Sequence, residues 1–136
     1  MKRIAIVTGA SRGIGREIAK MLAKEDIQVI ANYNNSEKKA IELQEELKKE
    51  NINIDIFKAD ISKREDARKL VEYTLEKYKK IDILVNNAGI SEYKMFTEET
   101  DSDWNRVINN NLYSAFVMCQ EVIPNMIHNK NGNIIN

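Results

Sequence analysis

The stretch Ile4-Ala5-Ile6-Val7-Thr8-Gly9-Ala10-Ser11-Arg12-Gly13-Ile14-Gly15 constrains this chain more than any other. It opens as a continuous apolar run, the pattern of a strand buried on both faces. Three glycines follow, and then a helical pattern with Ile14, Ile18 and Leu22 at helical spacing. A plain strand-to-helix turn seldom needs more than one glycine. A turn built to receive a phosphate needs several, because a helix N-terminus offers unpaired N–H groups and partial positive charge to a ligand that must approach the backbone closely. The pattern therefore predicts a strand over 3–8, a nucleotide-type glycine turn and a helix over about 13–25.

Strand and helix signals alternate from there on. Ile27-Gln28-Val29-Ile30-Ala31 reads as a second strand, and Ser36 to Glu50 as an amphipathic helix with Ala40, Leu43 and Leu47 inward. Ile52 to Lys58 alternates as a third strand. Ser62-Lys63-Arg64-Glu65 has the form of a capping box, opening a helix to about Lys79. Asp82 to Asn86 is a fourth strand, and Gly132 to Asn136 begins a fifth. Between them, Thr100-Asp101-Ser102-Asp103 caps a long helix reaching about His128, with Trp104, Ile108, Leu112, Ala115, Cys119, Val122 and Met126 as its core stripe. Phe116, Val117, Ile123 and Ile127 lie partly off that stripe, so two faces are apolar, and Pro124 should kink the last turns. Alternation of this kind implies an α/β fold with one parallel sheet and right-handed crossovers. The expected architecture is a Rossmann-type, doubly wound sheet of order 3-2-1-4-5 that stops within its fifth strand. A ligand would sit at the switch point between strands one and four.

Composition narrows the function classes. Residues 1–136 make one domain, and 21 basic side chains balance 21 acidic ones with no segment collecting one sign. That argues against nucleic acid or an anionic membrane as partner. No apolar run approaches the roughly 20 residues that span a bilayer, and Met1-Lys2-Arg3 leads directly into the first strand, so no signal peptide is expected. Cys119 is the sole cysteine and reads as a core thiol rather than a nucleophile; His128 stands without Cys or His companions, so no zinc site is expected. A cytoplasmic protein is the expectation.

The glycine spacing is Thr8-Gly9-x-x-x-Gly13-x-Gly15 rather than the common G-x-G-x-x-G. No Gly-Lys-Ser/Thr follows, which excludes a P-loop. This spacing resembles the classical short-chain dehydrogenase/reductase family; the family's extended branch would have a glycine at Arg12. A second stretch, Asn86-Asn87-Ala88-Gly89, resembles the family's N-N-A-G motif, which closes the floor of the cofactor site after strand four. The resemblance implies a nicotinamide dinucleotide held by Gly9, Ser11, Arg12, Gly13, Ile14, Gly15, Asn87, Ala88 and Gly89. It also implies that Asp60 and Ile61 meet the adenine, the former by its side chain and the latter by its backbone. Asp60 reads equally as a loop residue before a Ser cap.

The choice of dinucleotide is read at the end of the second strand. An NAD-binding unit carries an acidic residue there to hydrogen-bond the ribose. Here the chain runs Ala31-Asn32-Tyr33-Asn34-Asn35 with no carboxylate, so a 2′-phosphate is not repelled, and Asn32, Tyr33 and Asn34 join the expected cofactor contacts. Arg12 can offer that phosphate a charge-assisted contact, unless it is simply a solvated side chain. NADP is therefore preferred over NAD.

Asn109-Asn110-Asn111 interrupts the long helix, and Asn costs about 0.7 kcal/mol against Ala at such positions. The resemblance aligns Asn111 with the family's helix asparagine, which holds a water in the proton relay. Asn109 and Asn110 have no such match and read as composition bias. In the family a Ser after strand five and a Tyr-x-x-x-Lys on the next helix do the chemistry; neither is within these residues, so the chain by itself is not expected to turn over substrate. The family's dimer helix is the long helix, which predicts self-association through residues 103–128 and the 132–136 edge strand. Three readings stay open. The first is the cofactor-binding part of an NADP-dependent reductase, similar to 3-oxoacyl-acyl-carrier-protein reductases or sugar-alcohol dehydrogenases; the run Ser11-Arg12-Gly13-Ile14-Gly15-Arg16 favours the former. The others are a non-catalytic NADP(H)-binding module and an assembly subunit.

Overall fold

The computed structural model describes residues 2–136. Five parallel strands form one sheet in the order β3-β2-β1-β4-β5, as the alternation predicts. They are β1 (Ile4–Val7), β2 (Gln28–Tyr33), β3 (Asp55–Lys58), β4 (Ile83–Val85) and β5 (Asn133–Ile135). In register, Ile6 pairs with Ile30 on one side and Leu84 on the other, and Leu84 pairs in turn with Ile134.

Alternation along the central strands divides the core. Ile4, Ile6, Ile30 and Leu84 face α3 (Arg64–Tyr78) and α5 (Ser114–Asn129), meeting Leu70, Val117, Met118 and Val122. Ala5, Val7, Val29 and Val85 face the other way, against α1 (Gly13–Lys24) and α2 (Glu37–Lys49). Both faces are dry, which is why β1 needs an unbroken apolar run. On α2, Ala40, Leu43 and Leu47 are buried as the periodicity requires. On α1 the inward face is Gly15, Ala19 and Ala23, whereas Ile14 is 75% exposed. Small residues win there because the helix start packs directly on the strand ends: a Cβ at Gly15 would come within 2.5 Å of the Gly9 carbonyl and collide with the Asn87 amide.

Several boundaries differ from the sequence expectation. The second strand runs on through Asn32 and Tyr33, which pair with Phe57 and Lys58. The third begins only at Asp55, because Asn51 turns left-handed (φ 60°) and the Ile52 amide closes the end of α2 by donating to the Leu47 carbonyl. Ser62 does not cap α3. Its N–H and hydroxyl both donate to Asp60 Oδ1 (3.2 and 2.6 Å), and Lys63 takes the cap position without a side-chain bond. The Thr100 box does form: Thr100 Oγ1 accepts from the Asp103 amide and Asp103 Oδ2 accepts from the Thr100 amide, starting α4 (Asp101–Ile108).

The long helix is not one continuous α-helix. Asn109–Tyr113 form a π-helical turn between α4 and α5. The wider turn accommodates an extra residue, so positions on either side lose their common 3.6 periodicity. The proposed core stripe breaks there. Trp104 and Leu112 are 62% and 65% exposed, while Ser114, Val117, Met118, Val122 and Met126 are buried. Ala115 and Cys119 are half-buried. The helix continues through Pro124.

Candidate functional site

The carboxyl ends of β1, β2 and β4 open onto a cleft of about 580 Å³. That is the size of a small-molecule site, at the switch point where β1's neighbours lead in opposite directions. Thirteen of the fourteen residues expected to contact a cofactor line it: Gly9, Ser11, Arg12, Gly13, Ile14, Asn32, Tyr33, Asn34, Asp60, Ile61, Asn87, Ala88 and Gly89. Gly15 does not. Its part is steric, letting α1 begin against Asn87.

The glycine turn is shaped by residues from elsewhere in the chain. Gly9 adopts φ 62°, and a Cβ there would stand 2.9 Å from Ala88 Cα, so both conformation and space demand glycine. Thr8, fully buried, joins the turn to the strand beside it. Its hydroxyl donates to the Val85 carbonyl (3.2 Å) and accepts from the Asn87 and Ala88 amides (3.1 and 3.0 Å). Asn87 answers from the other side, its Nδ2 donating to the carbonyls of Thr8 and Gly9 (3.0 and 3.2 Å). The two motifs are thus one hydrogen-bonded unit, although 78 residues separate Gly9 from Asn87. Thr8 was not among the expected site residues; its place between the strand and the first glycine was the available signal.

Asn32 closes the turn from the β2 side. The Gly9 amide donates to its Oδ1 (3.3 Å), and its Nδ2 donates to the carbonyls of Tyr33, Phe57 and Ala59. Its carboxamide is therefore occupied in holding three strand ends together. Tyr33, 6% exposed, donates its hydroxyl to Glu37 Oε1 (3.0 Å). Burial, reinforced by that carboxylate, pushes the phenol pKa up. Asp60 lines the cleft while its carboxylate accepts from Ser62, so its charge serves the turn before α3.

Arg12 stands at the start of α1 in extended conformation (φ −154°), with no side-chain cap bond. The first N–H groups of that helix consequently lack an internal acceptor and carry the positive end of its dipole. The Arg12 guanidinium is exposed and has no ion-pair partner among the described residues. Cation and free amides occur together at one rim of the cleft, a donor set suited to a phosphate.

At the opposite rim, the loop after β4 is tied to α4 and the π-turn. Asn111 Oδ1 accepts from the Ile90 amide (2.7 Å) and its Nδ2 donates to the Ile90 carbonyl (2.8 Å). Asn111, itself exposed and outside the cleft lining, thereby fixes Ile90, which forms part of the cleft floor. Asn110 does line the cleft, its amide donating to the Arg106 carbonyl, and Arg106 lines it too while paired with Glu92 (2.6 Å). Ser36, Ala59, Ile90, Asn110 and Arg106 escaped sequence reasoning; for Asn110 the mid-helix asparagine run was the signal. Lys94 and Asp103 pair at 2.6 Å nearby. The Lys94 ammonium, helped by the Thr100 hydroxyl and amide, holds the Asp103 carboxyl well below the usual carboxylate range, and Asp103 raises Lys94 in return.

The profile of the short chain dehydrogenase family matches residues 3–136. The chain belongs to that family. It is 37% identical over its full length to the 3-oxoacyl-(acyl-carrier-protein) reductase FabG of Staphylococcus epidermidis, and spans 56% of that protein. The reductase of the same name from Buchnera aphidicola subsp. Baizongia pistaciae is 38% identical over 98% of the chain, which spans 54% of it. The chain thus covers about half the length of these curated relatives. Among solved structures, a metagenomic short-chain oxidoreductase in complex with NADP superposes with a TM-score of 0.93 at 28% identity, over 98% of this chain and 61% of its own. A blue fluorescent protein from a metagenomic library, in complex with NADPH, gives a TM-score of 0.83 at 31% identity over 90% and 50%. The family implies a nicotinamide dinucleotide cofactor. The glycine turn, the free amides of α1 and the cleft volume fit one.

Proposed function

We propose that these residues are the cofactor-binding part of an NADP-dependent carbonyl/alcohol oxidoreductase of the 3-oxoacyl-acyl-carrier-protein reductase type. The single observation that carries the NADP preference is Arg12, unpaired on the same cleft as a β2 end whose last residues are Asn32 and Tyr33. Gly9, Gly13 and Ile14 would lie along the pyrophosphate, Asn34 and Arg12 beside the 2′-phosphate, Asp60 and Ile61 by the adenine, and Ala88 and Gly89 under the nicotinamide half. The bound dinucleotide supplies the hydride; the chain's part is to hold it and exclude water from one side. Asn111 is assigned a positioning role with a relay water, through the floor it fixes at Ile90.

The test is a titration with NADPH and NADH, following ligand fluorescence. Saturable binding that prefers NADPH is expected, and Arg12→Ala should weaken NADPH roughly tenfold, the scale of one charge-assisted contact, with little effect on NADH. Equal loss for both cofactors would remove Arg12 as selector.

A second reading concerns assembly. Leu112, Phe116, Ile123 and Ile127 are exposed along α5 and the turn before it, and Ile135 on β5 is 54% exposed. An apolar face beside a strand edge favours self-association, so a dimer or larger assembly through residues 103–128 and 132–136 is expected. Light scattering that found a monomer at every concentration would reject it. No helix among the described residues is long and apolar enough to cross a membrane, and a cytoplasmic location accompanies this reading.

A further inference from the structure

From Gln28 to Glu37 the chain contains a single carboxylate, Glu37, the first residue of α2. Sequence distance alone would leave it as a solvated side chain just beyond the cofactor corner. The structure gives it a specific partner. The Tyr33 hydroxyl donates to Glu37 Oε1 at 3.0 Å, and Tyr33 is a buried residue that itself lines the cleft. Asn34, Asn35 and Ser36, the residues between them, line the cleft as well. Glu37 has no ion-pair partner among the described residues, and neither has Arg12.

We propose that Tyr33 and Glu37 act as a specificity pair for the dinucleotide, with the buried phenol restraining the one carboxylate of the β2–α2 corner so that the place beside Arg12 stays open to a 2′-phosphate. The physical reason is charge. A carboxylate released at this corner would repel the dianionic phosphate and would compete for Arg12 as an intramolecular anion. It would also be a good acceptor for the ribose 2′-hydroxyl of the unphosphorylated dinucleotide. Both effects push the preference toward NADH. A fixed phenol ring with its hydroxyl on one carboxylate oxygen limits the rotamers Glu37 can reach. The stiff anchor is Tyr33, because its ring is held in the core and its hydroxyl is the only polar atom it presents.

The inference rests on the reading that the cleft takes a nicotinamide dinucleotide, and its test reports the ratio of the two affinities rather than either alone. Tyr33→Phe, Glu37→Gln and the double variant are titrated with NADPH and NADH at one ionic strength. Tyr33→Phe should lower the NADPH-over-NADH preference by roughly fivefold, the scale of a partly screened charge contact. Glu37→Gln should raise the preference. The double variant should match Glu37→Gln alone, because Tyr33 acts through the charge of Glu37. A merely structural role for the tyrosine would weaken both cofactors equally and leave the ratio at the wild-type value, which overturns the proposal. So does a Tyr33→Phe effect on the ratio that persists in the Glu37→Gln background. A wild-type protein that bound neither dinucleotide would remove the cofactor reading itself, and this inference with it.

Discussion

Two loops leave the carboxyl edge of the sheet side by side, and they are built on different principles. The turn after β1 is short, buried through Thr8, Ala10 and Ser11, and held where buried side chains satisfy its backbone: Gly9 turns at φ 62°, the Thr8 hydroxyl satisfies the Asn87 and Ala88 amides, and the Asn32 carboxamide accepts from the Gly9 amide. The loop after β4, once past the Asn87 and Ala88 amides that Thr8 holds, is long and mostly exposed, carries Tyr93, Met95 and Phe96 on its surface, and is moored by exposed side-chain contacts. Asn111 holds Ile90, Arg106 holds Glu92, and Asp103 holds Lys94. Buried backbone groups must be paired, so the first loop has one workable conformation. Exposed ion pairs are worth little, so the second is tied loosely. A site built from both has one rim fixed by buried hydrogen bonds and one held by exposed contacts.

Three measurements break or sharpen that contrast. The largest effect is expected at Gly9→Ala. A left-handed alanine costs about 1–2 kcal/mol, and pressing its Cβ against Ala88 adds about 1–3 kcal/mol of overpacking. Urea denaturation should therefore show a loss of about 3 kcal/mol, together with loss of dinucleotide binding. A loss below about 1 kcal/mol would mean that the first turn is as adaptable as the second.

Asn111→Ala comes next. It removes two hydrogen bonds to Ile90, each worth about 1 kcal/mol before discounting for exposure, so a net loss of about 1 kcal/mol is expected. Amide exchange should accelerate across residues 90–99 while the Gly9 and Ala88 amides keep their protection. Equal acceleration in both loops would show that they open as one unit.

The smallest effect is on pH. The folded-state carboxyl of Asp103 titrates below its unfolded value of about 3.9, so its contribution is complete above that value and fades only as pH falls through the lower folded one. The Thr100 amide, which donates to Asp103 Oδ2 at 2.9 Å, should hold its chemical shift from neutral pH down to about pH 4 and move only below. Asp103→Asn should abolish that step. A shift of the Thr100 amide between pH 5 and 7 would contradict the assignment.

Much of this was legible from residue order. The apolar run of β1 and the spacing of Gly9, Gly13 and Gly15 were enough to place a strand, a turn and a helix. The asparagine run 109–111 marked, by its poor helix propensity, the place where the helix widens into a π-turn. What the run did not disclose was the consequence. A constant 3.6 periodicity across it puts Trp104 and Leu112 on the core stripe and Val117 partly off it, whereas Trp104 and Leu112 are exposed and Val117 is fully buried. Ser62 misled for a related reason. The capping signature is local, but Asp60 outcompetes it by offering the serine a 2.6 Å partner of its own.

The sequence by itself determined the parallel sheet and the identity of the glycine turn, because these follow from burial on two faces and from the few residues able to turn with positive φ; the strand order came with the doubly wound pattern that the two together imply. Only the tertiary structure decided how the site is held together. Thr8 reaching across to Asn87, Asn32 spanning three strand ends, and Tyr33 gripping Glu37 are contacts of single side chains. Their worth depends on which buried amides lack partners once the strands are in place, and no periodicity carries that information.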